Sequence, residues 1–294
     1  MRSRGSDEYE SIVELIPDDF SNPADSLEEI RAKFDFVHGQ PVGDGVTVEE
    51  SSHGLWVRPE APHDDRVVLF AHSGGFVTST AAMCAFWAAI AARECNLPVF
   101  VVDYSLAPEA RFPTQLDELA ESHEALLAAG HDPGRMLFMG DSCGGGMAVA
   151  LMVRQRDAGR PLPAAFVGFG GWYDLDAVGA DASTNEDPFV DPDWLRLRAR
   201  DYVGPDGDPA QPLASVVNAD LSGLPPMLLQ TGEVDPCLRG ARRIAELVGD
   251  RAVVDVVPAV AQGFQGMGTQ IPEVAAAWAT TRDWIDRQVP PLAG

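Results

Sequence analysis

A chain of 294 residues, 46% of them hydrophobic, is long enough to bury a sizeable core, and an α/β chain of this length is commonly one domain. Its formal net charge of −24, with Lys33 as the only lysine, repels phosphate backbones and anionic lipid, so neither nucleic acid nor membrane is expected as a partner. The stretch MRSRGSDEYESIVELI is too acidic for a signal peptide, and no apolar run approaches the ~18 residues of a membrane span. Cys84, Cys95, Cys143 and Cys237 lack metal-type spacing and read as reduced thiols of a cytoplasmic protein.

Residues 8–40 predict one or two short amphipathic helices, the second opened by a capping box of Ser26 and Glu29. From about residue 46 the pattern changes to short β runs: VTVEE, GLWVRP and RVVLFAH. Strands and helices then alternate. VVLFA (67–71) precedes a helix predicted over 79–95, PVFVVDY (98–104) one over 114–129, and RMLFMG (135–140) one from 142. AAFVGFG (164–170) is followed by an aspartate-rich stretch and an Arg-rich helix near 193–203. PMLLQTG (226–232), a helix over 237–248, AVVDVV (252–257) and a helix over 272–288 close the chain. Continuous apolar strands separated by helices predict an α/β fold with a mostly parallel sheet covered on both faces.

Two motifs carry chemistry. Gly140-Asp141-Ser142-Cys143-Gly144 has the G-x-S-x-G form, and it falls where a strand ends and a helix begins. The glycines permit a tight turn that holds the serine hydroxyl at the sheet edge, beside a helix N-terminus that favours negative charge. The second motif is His72-Ser73-Gly74-Gly75-Phe76, directly after a buried strand. Backbone N–H groups of Gly74 and Gly75, with that of Cys143, can form an oxyanion hole.

These segments resemble the hormone-sensitive-lipase-like carboxylesterases. His-Ser-Gly-Gly-Phe is similar to that family's HGGGF, Asp103-Tyr104-Ser105-Leu106-Ala107-Pro108-Glu109 with FPTQLDE after it to DYRLAPE…FPA…D, and GDSCGGG to GDSAGGN. The resemblance covers roughly residues 46–290 and implies an α/β-hydrolase fold. It implies a core over 46–294, with a cap built from helices in residues 1–45 and an insertion at about 174–215. Ser73 stands where the family has glycine, Ser105 where it has arginine, and Gly146 where it has asparagine.

The resemblance further implies a triad in the order Ser, Asp, His. Ser142 is the nucleophile, and Asp235 in TGEVDPCLRGA matches the acid, with Glu233 a nearby second candidate. The histidine belongs in an H-G-F segment, and there the chain reads Ala261-Gln262-Gly263-Phe264, so Gln262 takes its place. A glutamine amide can hold the geometry of Ser142 and Asp235 by hydrogen bonds, but it takes no proton near neutral pH. Of the other histidines only His72 is expected close to Ser142, and in the family it is structural. His38, His53, His63, His123 and His131 are expected at the surface or in loops.

Phe76, Trp172 and Phe264, at strand ends, are expected to line an apolar pocket together with His72, and Tyr173, Phe189 and Trp194 are further candidates. Phe86 and Trp87, on a predicted helix, are expected in the core. The ligand expected is a small hydrophobic molecule bearing a carbonyl or ester; no metal or nucleotide cofactor has a motif, and the protein is expected to be a monomer or homodimer. Three readings follow. The first is an enzyme repurposed to cyclisation, elimination or isomerisation, a use suited to secondary metabolism. The second is a carboxylesterase or lactonase, weakly active or inactivated by a His-to-Gln exchange. The third is a receptor without turnover, as in the plant gibberellin receptors, which resemble the same family and lack the histidine.

Overall fold

The computed structural model describes residues 4–62, 65–175 and 186–292. Eight strands form one sheet in the order β1-β2-β4-β3-β5-β6-β7-β8, comprising β1 (Val46–Ser51), β2 (Gly54–Pro59), β3 (Val67–Ala71), β4 (Val99–Val102), β5 (Met136–Asp141), β6 (Ala165–Phe169), β7 (Met227–Gly232) and β8 (Ala252–Val257). The β1–β2 and β2–β4 pairs are antiparallel and every other pair is parallel. The parallel strands β3, β4, β5, β6 and β7 are buried throughout, as apolar runs without alternation require.

Alternate residues of these strands serve two core layers. Val67, Leu69, Met136 and Phe138 face the layer closed by α4 (Thr114–Ala128), α5 (Cys143–Asp157) and α7 (Leu238–Val248). Val68, Phe70, Leu137 and Met139 face the layer closed by α3 (Ala85–Cys95) and α8 (Pro272–Gln288). Full burial of each such side chain contributes about 1.5–3 kcal/mol.

From β3 the chain passes to β4 on one side, and β5 then pairs with β3 on the other. The carboxyl ends of β3 and β5 therefore flank a topological switch point, where an open α/β sheet offers a ligand crevice. HSGGF follows β3 and the GDSCG turn follows β5, so the fold delivers both motifs to that crevice.

Three helices lie outside the two layers: α1 (Asp7–Val13), α2 (Leu27–His38) and α6 (Pro192–Val203). The Ser26–Glu29 capping box at α2 is present in both directions. Arg31 on α2 grips both oxygens of Glu109 at 2.9 and 2.8 Å and donates to the Val77 carbonyl at 3.0 Å, tying this helix to the segments beside the crevice. The helix predicted over 79–95 begins only at Ala85. Ser79 takes a positive φ of 74°, and the Ala81 N–H is claimed by the Asp103 carboxylate at 2.9 Å, which holds the preceding turn out of the helix. Among the described residues no helix is long and apolar enough to cross a membrane.

Candidate active site

Ser142 adopts φ 52° and ψ −119°, the strained turn expected of a nucleophile elbow, and caps α5 without a side-chain hydrogen bond to the helix. The strain is held by neighbours: the Ser142 N–H donates to the Phe169 carbonyl at 2.9 Å, and its own carbonyl accepts from the Trp172 N–H at 2.8 Å. Gly144 must be glycine, because a Cβ there would lie 2.0 Å from the Ala71 carbonyl oxygen. Gly75, at φ +59°, is equally constrained, since a Cβ would meet the Trp194 ring at 2.6 Å.

Gln262 meets Ser142. Its Nε2 donates to Ser142 Oγ at 3.0 Å and to the Gly170 carbonyl at 2.9 Å, and lies 3.7 Å from Cys237 Sγ. The Gly170 carbonyl can only accept, so it selects which end of the amide faces the serine; the reversed amide would set two oxygens against each other. Ser142 therefore receives a hydrogen bond where a general base would have to accept one. That polarity is opposite to the first step of serine hydrolysis.

Asp235 is close but not joined to the glutamine. A Cβ on Gly170 would lie 2.8 Å from Asp235 Oδ2 and 3.0 Å from Gln262 Cγ, so both flank that glycine. The Asp235 oxygens accept from the Thr231 hydroxyl at 2.8 Å and the Cys237 N–H at 2.7 Å. The expected bridge through Gln262 thus reaches the serine and stops there, since both amide N–H groups are already spent on Ser142 and Gly170. Glu233 is bound elsewhere in the same region, where its Oε2 accepts from the Ala259 N–H at 3.0 Å and shapes the loop before Gln262.

His72 is not placed to serve Ser142 as a base. Its ring stacks on Tyr104 with centroids 4.0 Å apart, and Nδ1 donates to the Ser73 carbonyl at 2.7 Å. Burial lowers its pKa to about 4, so it stays neutral beneath the loop. His123, expected at the surface, is instead buried on α4 against Phe138, with its Nδ1 3.2 Å from Gln155 Nε2; an amphipathic helix turned this side chain inward. His63 and the side chain of His38 lie outside the described residues, as do 176–185 of the expected insertion.

A cavity of about 710 Å³ opens onto Ser142, Gln262, Gly74 and Gly75. Its wall corrects the expected aromatic lining. Phe86, Trp87, Phe189 and Trp194 border it, with Phe20 and Phe34 from the N-terminal region. Phe76, Trp172, Phe264 and His72 do not: each is 0–1% exposed and packed within the core. Phe76 stacks on Tyr202 at 3.7 Å and tilts against Trp172 at 5.5 Å, so these rings floor the site rather than face it. Strand-end position placed them near the crevice, but the inward side of the strand end is core. Residues Ile12, Leu15 and Ile16 of the first helix and the turn after it complete the wall, which no periodicity in so short a helix announces.

Three carboxyls are buried around this centre. Burial raises Asp141 to about 7, helped by the charge of Asp235 and opposed by hydrogen bonds from the Ser73 side chain and the Ser142 amide. Burial and the charge of Asp235 raise Asp187 to about 7 against three backbone N–H groups. Asp235 is raised by burial to about 6. Each acid keeps its proton when the unfolded chain has lost it, so its stabilising contribution is lost as pH rises through the folded value. His72 and His123, both lowered to about 4, work in the opposite sense, but only below their ordinary 6.5. Between pH ~6.5 and ~8 the carboxyls dominate, and stability is expected to fall by about 1–2 kcal/mol. Asp141→Asn, neutral throughout, should be more stable than the parent at pH ~8 by about 2 kcal/mol and should flatten the slope. Urea midpoints at the two pH values read both effects; a parent as stable at pH ~8 as at ~6.5 contradicts the raised carboxyls.

Among the described residues no group of three or more His, Cys, Asp or Glu is arranged to hold a metal ion. With an elbow serine, a glycine loop opposite it and a capacious crevice at the switch point, the chain belongs to the α/β-hydrolase fold family, in its hormone-sensitive-lipase-like carboxylesterase branch; the family profile matches residues 68–265. An acetyl-hydrolase of Streptomyces hygroscopicus is 34% identical over 82% of both chains. A carboxylesterase of Mycobacterium tuberculosis is 32% identical over 74% of this chain and 71% of its own. Among solved structures, an esterase from the bacterial hormone-sensitive lipase family superposes with a TM-score of 0.90 at 31% identity, covering 98% of this chain and 100% of that one.

Proposed function

We propose that this carboxylesterase-like protein is an enzyme that no longer hydrolyses esters and acts on a hydrophobic small molecule bearing a carbonyl or ester. Ser142, with the N–H groups of Gly74, Gly75 and Cys143, receives the carbonyl oxygen, and the described parts of the cap expected from residues 1–45 and about 174–215 bring Phe20, Phe34, Phe189 and Trp194 over it. The observation that carries this reading is the hydrogen bond from Gln262 Nε2 to Ser142 Oγ at 3.0 Å. An amide nitrogen has no lone pair to take the serine proton, so Ser142 stays a neutral hydroxyl, and no group activates water. Cyclisation, elimination or isomerisation needs orientation and a stabilised oxygen more than a nucleophile. The cavity volume of about 710 Å³ lies within the range of small-molecule sites and suits a ligand larger than an acetyl ester.

The names of the relatives favour a second reading, slow hydrolysis of a small ester. The unmodified protein and Ser142→Ala, assayed side by side on p-nitrophenyl esters of two to eight acyl carbons, decide between the two. Equal rates are expected. Turnover well above that of Ser142→Ala overturns the non-hydrolytic reading and requires another base.

A further inference from the structure

The loop that carries Gln262 is held by side chains from distant parts of the chain. The Ala261 N–H donates to the Tyr9 hydroxyl at 2.8 Å, and the Gln262 N–H donates to Asp187 Oδ2 at 2.8 Å. Tyr9 belongs to α1; Asp187 lies in the segment leading to α6. Both side chains are buried, Tyr9 at 0% and Asp187 at 9% exposure.

Each also builds the cavity wall. The other Asp187 oxygen accepts from the Phe189 and Val190 N–H groups at 2.8 and 3.0 Å, and Phe189 and Val190 line the cavity. The helix that bears Tyr9 bears Ile12, which lines it from the opposite arm. That helix is fixed at its start, where the Ser6 N–H and hydroxyl donate to the two Glu273 oxygens at 2.5 and 2.7 Å. Glu233 holds Ala259 in the same loop, but from the β7 end, so it does not depend on either arm.

We propose that Tyr9 and Asp187 are positioning residues that make the alignment of Gln262 with Ser142 depend on closure of both arms over the cavity. Consecutive amides of one loop are captured by opposite arms. Seating an arm therefore fixes the loop and the wall together, and lifting either one frees an amide and releases Gln262 from its partners. The inference rests on Ser142 and Gln262 being the working site, while its first test needs no turnover.

That test is amide hydrogen exchange on the full chain. Tyr9→Phe removes one oxygen and keeps the ring. Asp187→Asn keeps the size but can accept through one oxygen only, so it loses Gln262 or the Phe189–Val190 pair. Peptides spanning 259–263 are expected to exchange about tenfold faster in each variant, the loss of one buried hydrogen bond, while peptides of β5 and β7 keep their protection. Unchanged exchange in 259–263 in both variants overturns the proposal, and so does an equal rise throughout the sheet, which marks general destabilisation. A second readout uses the Gln262→His background. There Tyr9→Phe should lower kcat for p-nitrophenyl butyrate about tenfold with KM nearly unchanged, because the imidazole is misaligned and the ligand wall is not. A rise in KM at constant kcat would assign Tyr9 to ligand binding and overturn the positioning role. An inactive Gln262→His protein would count against the reading of the site, and the exchange result would still decide the latch.

Discussion

Gln262→His is expected to raise Ser142-dependent hydrolysis of p-nitrophenyl esters by about 10⁴-fold or more, the converse of removing the base from a serine triad. The geometry is prepared for it. Nε2 now lies 3.0 Å from Ser142 Oγ, and an imidazole nitrogen within that reach, turned off the Gly170 carbonyl that the amide engages, would accept the hydroxyl proton instead of donating to the oxygen. Asp235 flanks the same Gly170, and its raised pKa of about 6 reflects burial without a cationic partner. An imidazolium beside it would lower that value and supply the triad's acid. The comparison is Gln262→His against Gln262→His/Ser142→Ala on the same esters. A histidine variant no faster than its serine-free counterpart would mean that Asp235 or the oxyanion loop is out of register. The idea of an esterase site lacking one part would then fall.

Gly144→Ala should be strongly destabilising for a single added methyl. The new Cβ would meet only backbone: the Ala71 carbonyl oxygen at 2.0 Å, its carbon at 2.5 Å and the His72 oxygen at 2.7 Å. Nothing there can rotate away, so α5 must separate from the end of β3, at a cost of about 3 kcal/mol or more. Gly159→Ala is the control. Its φ of +64° is unfavourable for alanine, but no atom lies within 4 Å of the new methyl, so about 1 kcal/mol is expected. Urea midpoints at unchanged m separate the two. Similar midpoints for both variants would show that contact between β3 and α5 does not make the elbow glycine necessary. Activity in the Gln262→His background adds a second reading, since the displaced turn carries Ser142.

Much of the fold was legible because parallel strands announce themselves. VVLFA, MLFM and MLL are buried on both faces and therefore apolar without alternation, and the glycines of the elbow mark a turn that other residues cannot make. The place of Gln262, between β8 and Gly263, was legible from its order in the chain, and the structure brings it to Ser142. The polarity of its amide was not, because it is set by the Gly170 carbonyl, a backbone group that no residue type betrays. The cavity wall was misread at Phe76, Trp172 and Phe264. Which side of a strand end faces ligand depends on what packs over it, and that is decided by α1, α2 and α6. Tyr9 and Asp187 left no signal at all: their partners are main-chain amides, and a tyrosine in a seven-residue helix or an aspartate in an acidic stretch reads as solvated surface. His123 was misplaced for a related reason, since one polar residue on an amphipathic helix is ordinarily outside.

The attachments of α1 also bear on how the chain reaches its native state. Tyr9 is bonded to a residue 252 positions later in sequence, and Ser6 to one 267 positions later. During synthesis α1 emerges long before either partner exists, whereas β3, β4 and β5 can pair as soon as they are made. The helix must wait, unanchored, until residues 261 and 273 have left the ribosome. Contacts of such span contribute slowly to folding. A late event of assembly is then the docking of an early-translated segment, and a nascent chain halted before residue 261 would lack both anchors of α1.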